Sequence, residues 1–435
     1  MSLAARLDEL AAKLAGRGLE EVELFVKRGR TRCYELGAHG RQATTHRESG
    51  WAVRATGPRS SLMVAGTGEP VPAGTLPEPD GFPFPLPPPT PPSEWRAPSS
   101  LEAPLIVESE ALPLLEACER LLGRELPGAR ILRLSLEDGV SEVELASTRG
   151  VAASYGGRTA SLTVEVLGPE PGRHHLTELF AEREARRFAP GALAERLANR
   201  LILERDGTRI DRDRGEFLLA PGVAARILAG LRPLLVGEDA PMLARKLAGR
   251  GDRLAAPGVT IVDDGGLAEG LFTAPVDGEG VPARRQTLVE AGVLRRPLLA
   301  WWQQVPGAPL CGCMRRPSWR EVPRLSPSHL FIAPDPVAPV GALLERVARG
   351  YYFTDALGPG AFDPRGDRFR LPVCGLQVRS GRAIRPVARA VLGGRLSALL
   401  KGIQAVGRDL AFVPAAGFAG SPSVLVSGIE LDDSP

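Results

Sequence analysis

The chain has 435 residues, 43% hydrophobic and 24% charged, more than one hydrophobic core usually serves, so two globular domains are expected. Its 54 basic and 51 acidic residues leave a net charge of +3 without long single-sign blocks, which argues against a concentrated nucleic-acid-binding face. Nothing reads as a secretion signal or as an apolar span of about 18 residues, and five scattered cysteines make no disulfide framework. A cytoplasmic chain without membrane contact is therefore expected.

Leu3, Leu7, Leu10 and Leu14 recur at helical spacing, with Ser2 placed to cap the start and Gly16 and Gly18 to stop it. Val22, Leu24 and Val26 then alternate with Glu23, Phe25 and Lys27, as in a strand with two unlike faces. Residues 51–55 and 62–65 flank Gly57-Pro58, a strand–turn–strand pattern. From Pro70 to Pro98 the chain is proline-dense, which denies ladder N–H groups and favours extended backbone. A surface excursion over 70–98 is expected there, in preference to a docking site for an aromatic-lined groove.

Leu112, Leu115, Cys118 and Leu122 mark a second helix. Residues 130–136 and 140–146 flank Glu137-Asp138-Gly139, and 151–155 and 159–166 flank Gly156-Gly157, so two further hairpins are expected in an antiparallel sheet. Leu193, Leu197 and Leu201 form another helical stripe. The polar run 204–209 follows, placing a boundary between an N-terminal domain (1–207) and a C-terminal domain (208–435). The second half alternates short strands (216–219, 259–262, 284–290, 330–333, 350–356, 371–378, 423–429) with turns, and helices interrupt near 223–235 and 394–406. The expected fold class is α+β, with helices and antiparallel sheet in the N-terminal domain and a mainly antiparallel, β-rich C-terminal domain.

The chemistry-bearing residues are sparse. His174-His175 reads as an exposed loop pair, His39 and His46 stand alone, and His329 precedes a strand as a cap or half-buried histidine. Cys311-Gly312-Cys313 finds only Cys374 as a third ligand in its half, so CxC is weak evidence for a metal. Asp263-Asp264-Gly265-Gly266 reads as a turn whose side chains bond nearby backbone N–H groups. Asp277, Glu279 and Arg285 read as a structural ion-pair cluster, with Gly278 and Gly280 turning the chain between them. No serine sits in a nucleophile elbow.

Several motifs, taken in order, nevertheless carry a resemblance. They are SGWAVRA, FLLAPGVAARIL, VTIVDDGGLAEGLFTAPVDGEGVPARRQTLVEAGVL, CGCMRRPSWREVPRLSPSHLFIAPD, FTDALGPGAFDPRGDRFRLPVCGLQVRSG, LLKGIQAVGRDLAF and GSPSVLVSGIEL. Together they resemble the TldD/PmbA (TldD/TldE) family, once called modulators of DNA gyrase, and Gly420-Ser421-Pro422-Ser423 looks like its TldE (PmbA) branch. In that family TldD-type subunits carry a zinc-binding HExxxH helix and a later cysteine. Here Ala229, Gly230 and Leu234 stand at the His, Glu and His positions, Pro233 interrupts the last turn, and 405–410 holds no sulfur.

The resemblance thus implies a subunit without metal, catalytic residues or cofactor of its own, paired with a TldD-like partner that carries the zinc. It would line a cavity for extended peptides. Arg285, Arg315, Arg316, Trp319 and Ser421 are the implied substrate or interface contacts, with Arg315 and Arg316 suited to a peptide carboxylate. The alternatives are a stand-alone regulatory binding protein and a metal-free peptidase or amidase.

Overall fold

Ser2 caps α1 (Leu3–Ala15), its hydroxyl accepting from the Ala5 N–H, and the leucine spacing buries Leu7, Leu10 and Leu14 as expected. The computed structural model describes residues 2–37, 40–68, 76–168, 175–249, 253–414 and 418–432. In it α1 packs on one end of a six-stranded sheet, against Val22, Leu24, Val26 and Val53. The strands are β1 (Glu21–Gly37), β2 (Gly40–Thr56), β3 (Ser61–Thr67), β4 (Arg130–Ser147), β5 (Ala152–Leu167) and β6 (His175–Glu182). They lie in the order β3-β2-β1-β4-β5-β6, and every pairing is antiparallel. At the other end of the sheet α2 (Glu108–Glu125) and α3 (Pro190–Asp206) cover Leu134, Leu136, Leu162 and Val164 with Leu115, Cys118, Leu122, Leu197 and Leu201.

The hairpin around Gly57-Pro58 is present, but those expected at 137–139 and 156–157 are not. Residues 130–147 and 152–167 each run as one strand. The glycines there serve close approach instead of reversal: a Cβ on Gly139 would lie 2.8 Å from the Thr31 hydroxyl, and one on Gly157 2.8 Å from that of Ser141. Asp138 is fully buried, accepting from the Ile106 N–H (2.7 Å) and pairing with Arg158 (2.9 Å). A turn residue would be wet; this one is held in the sheet.

The described part of the proline-rich segment, 76–98, is extended and outside any ladder except a bridge from Gly81 to Ser61. It is more than an excursion, because it straps the two halves of the chain together. Phe84 takes the Thr56 hydroxyl as acceptor, the Trp95 indole donates to Thr273 (3.1 Å), and Arg284 donates to the Pro91 carbonyl (3.1 Å).

In the second half, a six-stranded sheet runs Val293–Leu294, Arg285–Glu290, Ile261–Asp264, Leu330–Ile332, Phe418–Ser421, Ala411–Pro414. A nine-stranded sheet is built around Glu216–Leu219, Arg349–Ala356, Arg368–Arg379 and Arg382–Gly394. Residues of both sheets share one core with α4 (Pro221–Gly230) and α5 (Ala240–Ala248), for example Phe217, Leu228, Leu243, Ile261, Ile332 and Phe353. α6 (Val340–Glu345) closes the far face on Leu218, Val378 and Leu425, while α7 (Leu396–Lys401) adds Leu399 and Leu400 to the shared core.

Most strand pairs are antiparallel. The exceptions are Leu330–Ile332 with Phe418–Ser421, Arg349–Ala356 with Glu216–Leu219, and Arg382–Gly394 with Thr208–Arg209. The architecture is the expected two-domain α+β fold. The AGVL segment makes a tight hairpin, with Ala291 (φ 49°) and Gly292 (φ 78°) both left-handed between paired Glu290 and Val293.

Both helices expected in this half are shorter than their sequence stripes. Residues 394–406 give α7 and then the strand Ile403–Val406, and 223–235 gives α4 followed by a single 3-10 turn, Arg232–Leu234. The strand expected over 423–429 is only Val424–Val426, ended by Gly428 at φ 76°. No helix among the described residues is long and apolar enough to cross a membrane.

Candidate functional site

The buried strand Glu216–Leu219 leads directly into α4, whose Pro221 stands in the first turn, where a missing N–H costs nothing. Val223, Ile227 and Leu228 turn into the main core, and Ala225 and Ala229 pack on Ala419 and Val413. A Cβ on Gly230 would lie 2.3–2.6 Å from the Phe362 ring, so that aromatic already fills the space a longer side chain would need. The helix then stops, since Pro233 has no N–H and its ring clashes with the preceding turn. Leu234 therefore lies on the 3-10 turn, fully buried among hydrocarbon.

Ala229, Gly230 and Leu234 thus offer a methyl group, a hydrogen and an isobutyl group. None supplies a lone pair, and a zinc ion does not fit them. In the later segment Asp409 is occupied as an acceptor for the Ser423 N–H (2.9 Å) and hydroxyl (2.7 Å). Among the described residues, no three His, Cys, Asp or Glu side chains converge in a metal-holding group.

The most concentrated chemistry lies where the N-terminal sheet meets the second half. Asp277 is buried and accepts three backbone N–H groups, from Glu279 (2.9 Å), Val281 (3.0 Å) and Met314 (2.9 Å). Glu279 accepts from Arg54 (2.7 Å) and from the Trp301 indole (3.1 Å), and Arg316 pairs with Glu23 and donates to the Gly278 carbonyl (2.7 Å). Phe84 covers Arg54 and Phe25 covers Arg316, at 4.6 and 4.5 Å from the ring centres. Burial pushes the Glu279 carboxyl up to about 7, against the pull of Arg54. Gly280, at φ 85°, needs both its left-handed backbone and its missing side chain, because a Cβ would lie 2.3 Å from Val151.

The ion-pair cluster read from sequence exists at Asp277 and Glu279, but its cation is Arg54 from β2, not Arg285. Arg285 lies apart, its side chain 55% exposed, 3.4 Å from Asp264 and above the Phe331 ring. Four other candidate contacts are drawn inward. Arg316 is locked in the junction, and Arg315 is half-buried and donates to the Ser328 hydroxyl. Trp319 is buried over Gly50 and donates to the Gly66 carbonyl (3.1 Å), and Ser421 is fully buried with its hydroxyl on the Pro422 carbonyl (2.8 Å). In this chain they hold the fold together, and only Arg285 offers an exposed guanidinium. Arg54 and Glu23 escaped the sequence reading, although a glutamate inside the apolar run 22–26 was their signal.

His329 is no cap. It is fully buried, with Nδ1 2.7 Å from the Asp264 carbonyl and Nε2 accepting the Phe272 N–H (3.1 Å). Burial holds it neutral, its pKa lowered to about 4. Asp263 accepts from the Ser328 and His329 N–H groups and Asp264 from that of Gly266, so the acidic pair does serve backbone groups. Cys311 and Cys313 are buried and each donates to a carbonyl; burial raises both thiols, Cys311 to about 12. His46 and His175 are exposed, while His39 and His174 lie outside the described residues.

Comparison with known proteins bears on this arrangement. Residues 214–432 match the family described as PmbA/TldA metallopeptidase, C-terminal domain. An uncharacterized protein of Methanocaldococcus jannaschii is 26% identical over 218 residues. That match covers 49% of this chain and 50% of the relative, so the chain spans about half the length of the curated relative it matches. The fold is similar to that of TldE from Thermococcus kodakarensis, with a TM-score of 0.83 at 16% identity over 98% of this chain and 99% of that one. It is also similar to that of a candidate modulator of a DNA gyrase from Thermotoga maritima, with a TM-score of 0.81 at 18% identity over 99% and 100% of the two chains. A candidate modulator of DNA gyrase from Bacteroides thetaiotaomicron gives 0.75 at 14% identity over 99% of each.

Proposed function

The chain belongs to the PmbA/TldD metallopeptidase family, and from that premise we propose that it is the non-catalytic, TldE-like subunit of a heterodimeric zinc metalloprotease acting on unfolded or extended peptides. The observation that carries this reading is α4. Where a zinc-bearing relative would need two imidazoles and a carboxylate, this helix presents Ala229 and Gly230, ends, and leaves Leu234 in the core. The space beside Gly230 is taken by Phe362, so the deficiency is built into the packing as well as the residue types.

On this reading a TldD-like partner holds the zinc, which activates water and polarises the scissile carbonyl. This chain contributes neither ligand nor general base. It shapes the wall of the substrate cavity and stabilises its partner through an obligate interface, a class that typically buries upwards of about 2,000 Å². Arg285, the exposed member of the five candidate contacts, is the side chain placed to meet substrate or partner. Both subunits work in the cytoplasm.

The test is co-expression with an HExxxH-bearing relative from the same genome. A 1:1 complex is expected by native mass spectrometry, with casein turnover by the pair that a chelator abolishes and none by this chain alone. Chelator-resistant turnover by the isolated chain, stoichiometric zinc bound to it, or failure to associate with any such relative would sink the proposal.

A further inference from the structure

A cleft between α3, the start of α4 and the edge strand Ala411–Pro414 remains unaccounted for by any role assigned above. It comprises two adjoining cavities of about 440 and 750 Å³ that share Arg196, Gly222, Thr354, Asp355 and Phe412 among their walls. A cation on one wall and an anion on the other lack direct partners. Arg226, half-buried one turn along α4 from Gly222, and Asp355, half-buried on the facing strand, have no hydrogen-bond or ion-pair partner among the described residues, each other included. Of the remaining wall charges, Arg196 donates to Glu178 (3.4 Å) and Arg187 to Glu269 (2.7 Å), Glu182 lies in the field of Arg187 without a direct pair among the described residues, and Glu195 is solvent-exposed on α3.

The backbone itself aims polar groups into this space. The ladder between Arg349–Ala356 and Arg368–Arg379 pairs Phe353 with Gly375 and Asp355 with Cys374, leaving Thr354 as an extra residue in a β-bulge. Bulges of this kind re-aim side chains and gather next to binding sites. Here the bulge brings Thr354 and Asp355 together onto the cleft wall, and the buried Thr354 hydroxyl has no partner among the described residues. A buried hydroxyl without a partner, beside an unpaired carboxylate and an unpaired guanidinium, carries a desolvation cost that a ligand of matching polarity removes.

We infer that this cleft binds a small zwitterion, a molecule with a carboxylate at one end and an ammonium at the other, such as a free amino acid or a short unblocked peptide. Arg226 takes the carboxylate through its planar fork, Asp355 takes the ammonium, and Thr354 supplies the hydroxyl between them. Arg226 lies one turn before Ala229 and Gly230, so the site adjoins the first turns of α4. The inference does not depend on the accessory-subunit reading, because it concerns the isolated chain.

Calorimetric titration of the full chain with alanine and with tetra-alanine distinguishes the two sources. N-acetylated and C-amidated tetra-alanine then test each end. Binding of at least one free probe is expected, weakened on the order of tenfold by either cap. Amidation is expected to make no difference to the Arg226→Gln variant, nor acetylation to Asp355→Asn. Equal binding of free and capped peptides, sensitivity to only one cap, or no binding of either free probe at millimolar concentration overturns the inference. The capping comparison uses the unaltered chain, so it does not rely on the variants folding.

Discussion

Gly230 illustrates how packing closes a single position. It lies in a helix, with ordinary right-handed backbone, so alanine there should gain about 1 kcal/mol of helix propensity. The Cβ would, however, lie within 2.3–2.6 Å of the Phe362 ring, and overpacking of this kind costs about 1–3 kcal/mol. Gly230→Ala is therefore expected to lower the denaturant midpoint. Phe362→Leu in the same chain should recover part of the loss, so that the two changes are non-additive. Additive effects would mean that the ring moves aside freely and that packing does not close the position.

At the scale of elements, His329 shows how one imidazole fixes two segments. It joins the turn at Phe272 to the end of the strand Ile261–Asp264, stacks on Phe272 and meets Phe412 and Phe418 edge to face. Protonation at Nε2 would forfeit the Phe272 hydrogen bond, so the native state resists the proton down to about pH 4 while the unfolded chain takes it near 6.5. Within that window the unfolded state binds more protons, so this contribution to stability is lost as pH falls, by up to roughly 3 kcal/mol. Glu279 has the opposite sign: its carboxyl, raised to about 7, stays protonated longer in the folded chain, and its contribution declines as pH rises from 4.5. Comparing wild type with His329→Phe at pH 7 and pH 5 cancels the Glu279 contribution. The variant should lose less stability than wild type on acidification, and an equal loss would contradict the neutral, buried imidazole.

Across the whole molecule, the junction of Arg54, Glu23, Glu279 and Arg316 couples the N-terminal sheet to the second half beneath the proline-rich strap. Removing one member of a buried ion pair typically costs about 3–5 kcal/mol, because its partner is left charged and dry. Arg54→Ala leaves Glu279 without its guanidinium (2.7 Å) and takes one of two from Glu23 (3.5 Å), which keeps Arg316. It should separate unfolding into two transitions and expose the 76–98 strap to limited proteolysis before either half unfolds. A single transition with unchanged protease resistance would show that apolar contacts such as Trp319 over Gly50 hold the halves together without it.

Periodicity alone was sufficient for α1, α2, α3 and most strands of the second half, because burying one face of a helix or strand leaves a repeating apolar pattern. That Ala229, Gly230 and Leu234 carry no donor atoms was equally plain, since donor atoms are a property of residue type. The tight turn at Ala291-Gly292 followed from local chemistry, whereas Glu137-Asp138-Gly139 and Gly156-Gly157 looked like turns and are not. There the cross-strand neighbours Thr31 and Ser141, with the buried partner Arg158, decide the backbone, and none of them is near in sequence. For the same reason nothing local announces that Arg315, Arg316, Trp319 and Ser421, expected as substrate or interface contacts, turn inward, or that Arg54 stands beside Glu279 in place of Arg285. Local pattern governs which segments become helix or strand; which polar groups meet is set by partners up to 293 residues apart, as with Glu23 and Arg316, and only packing brings those together.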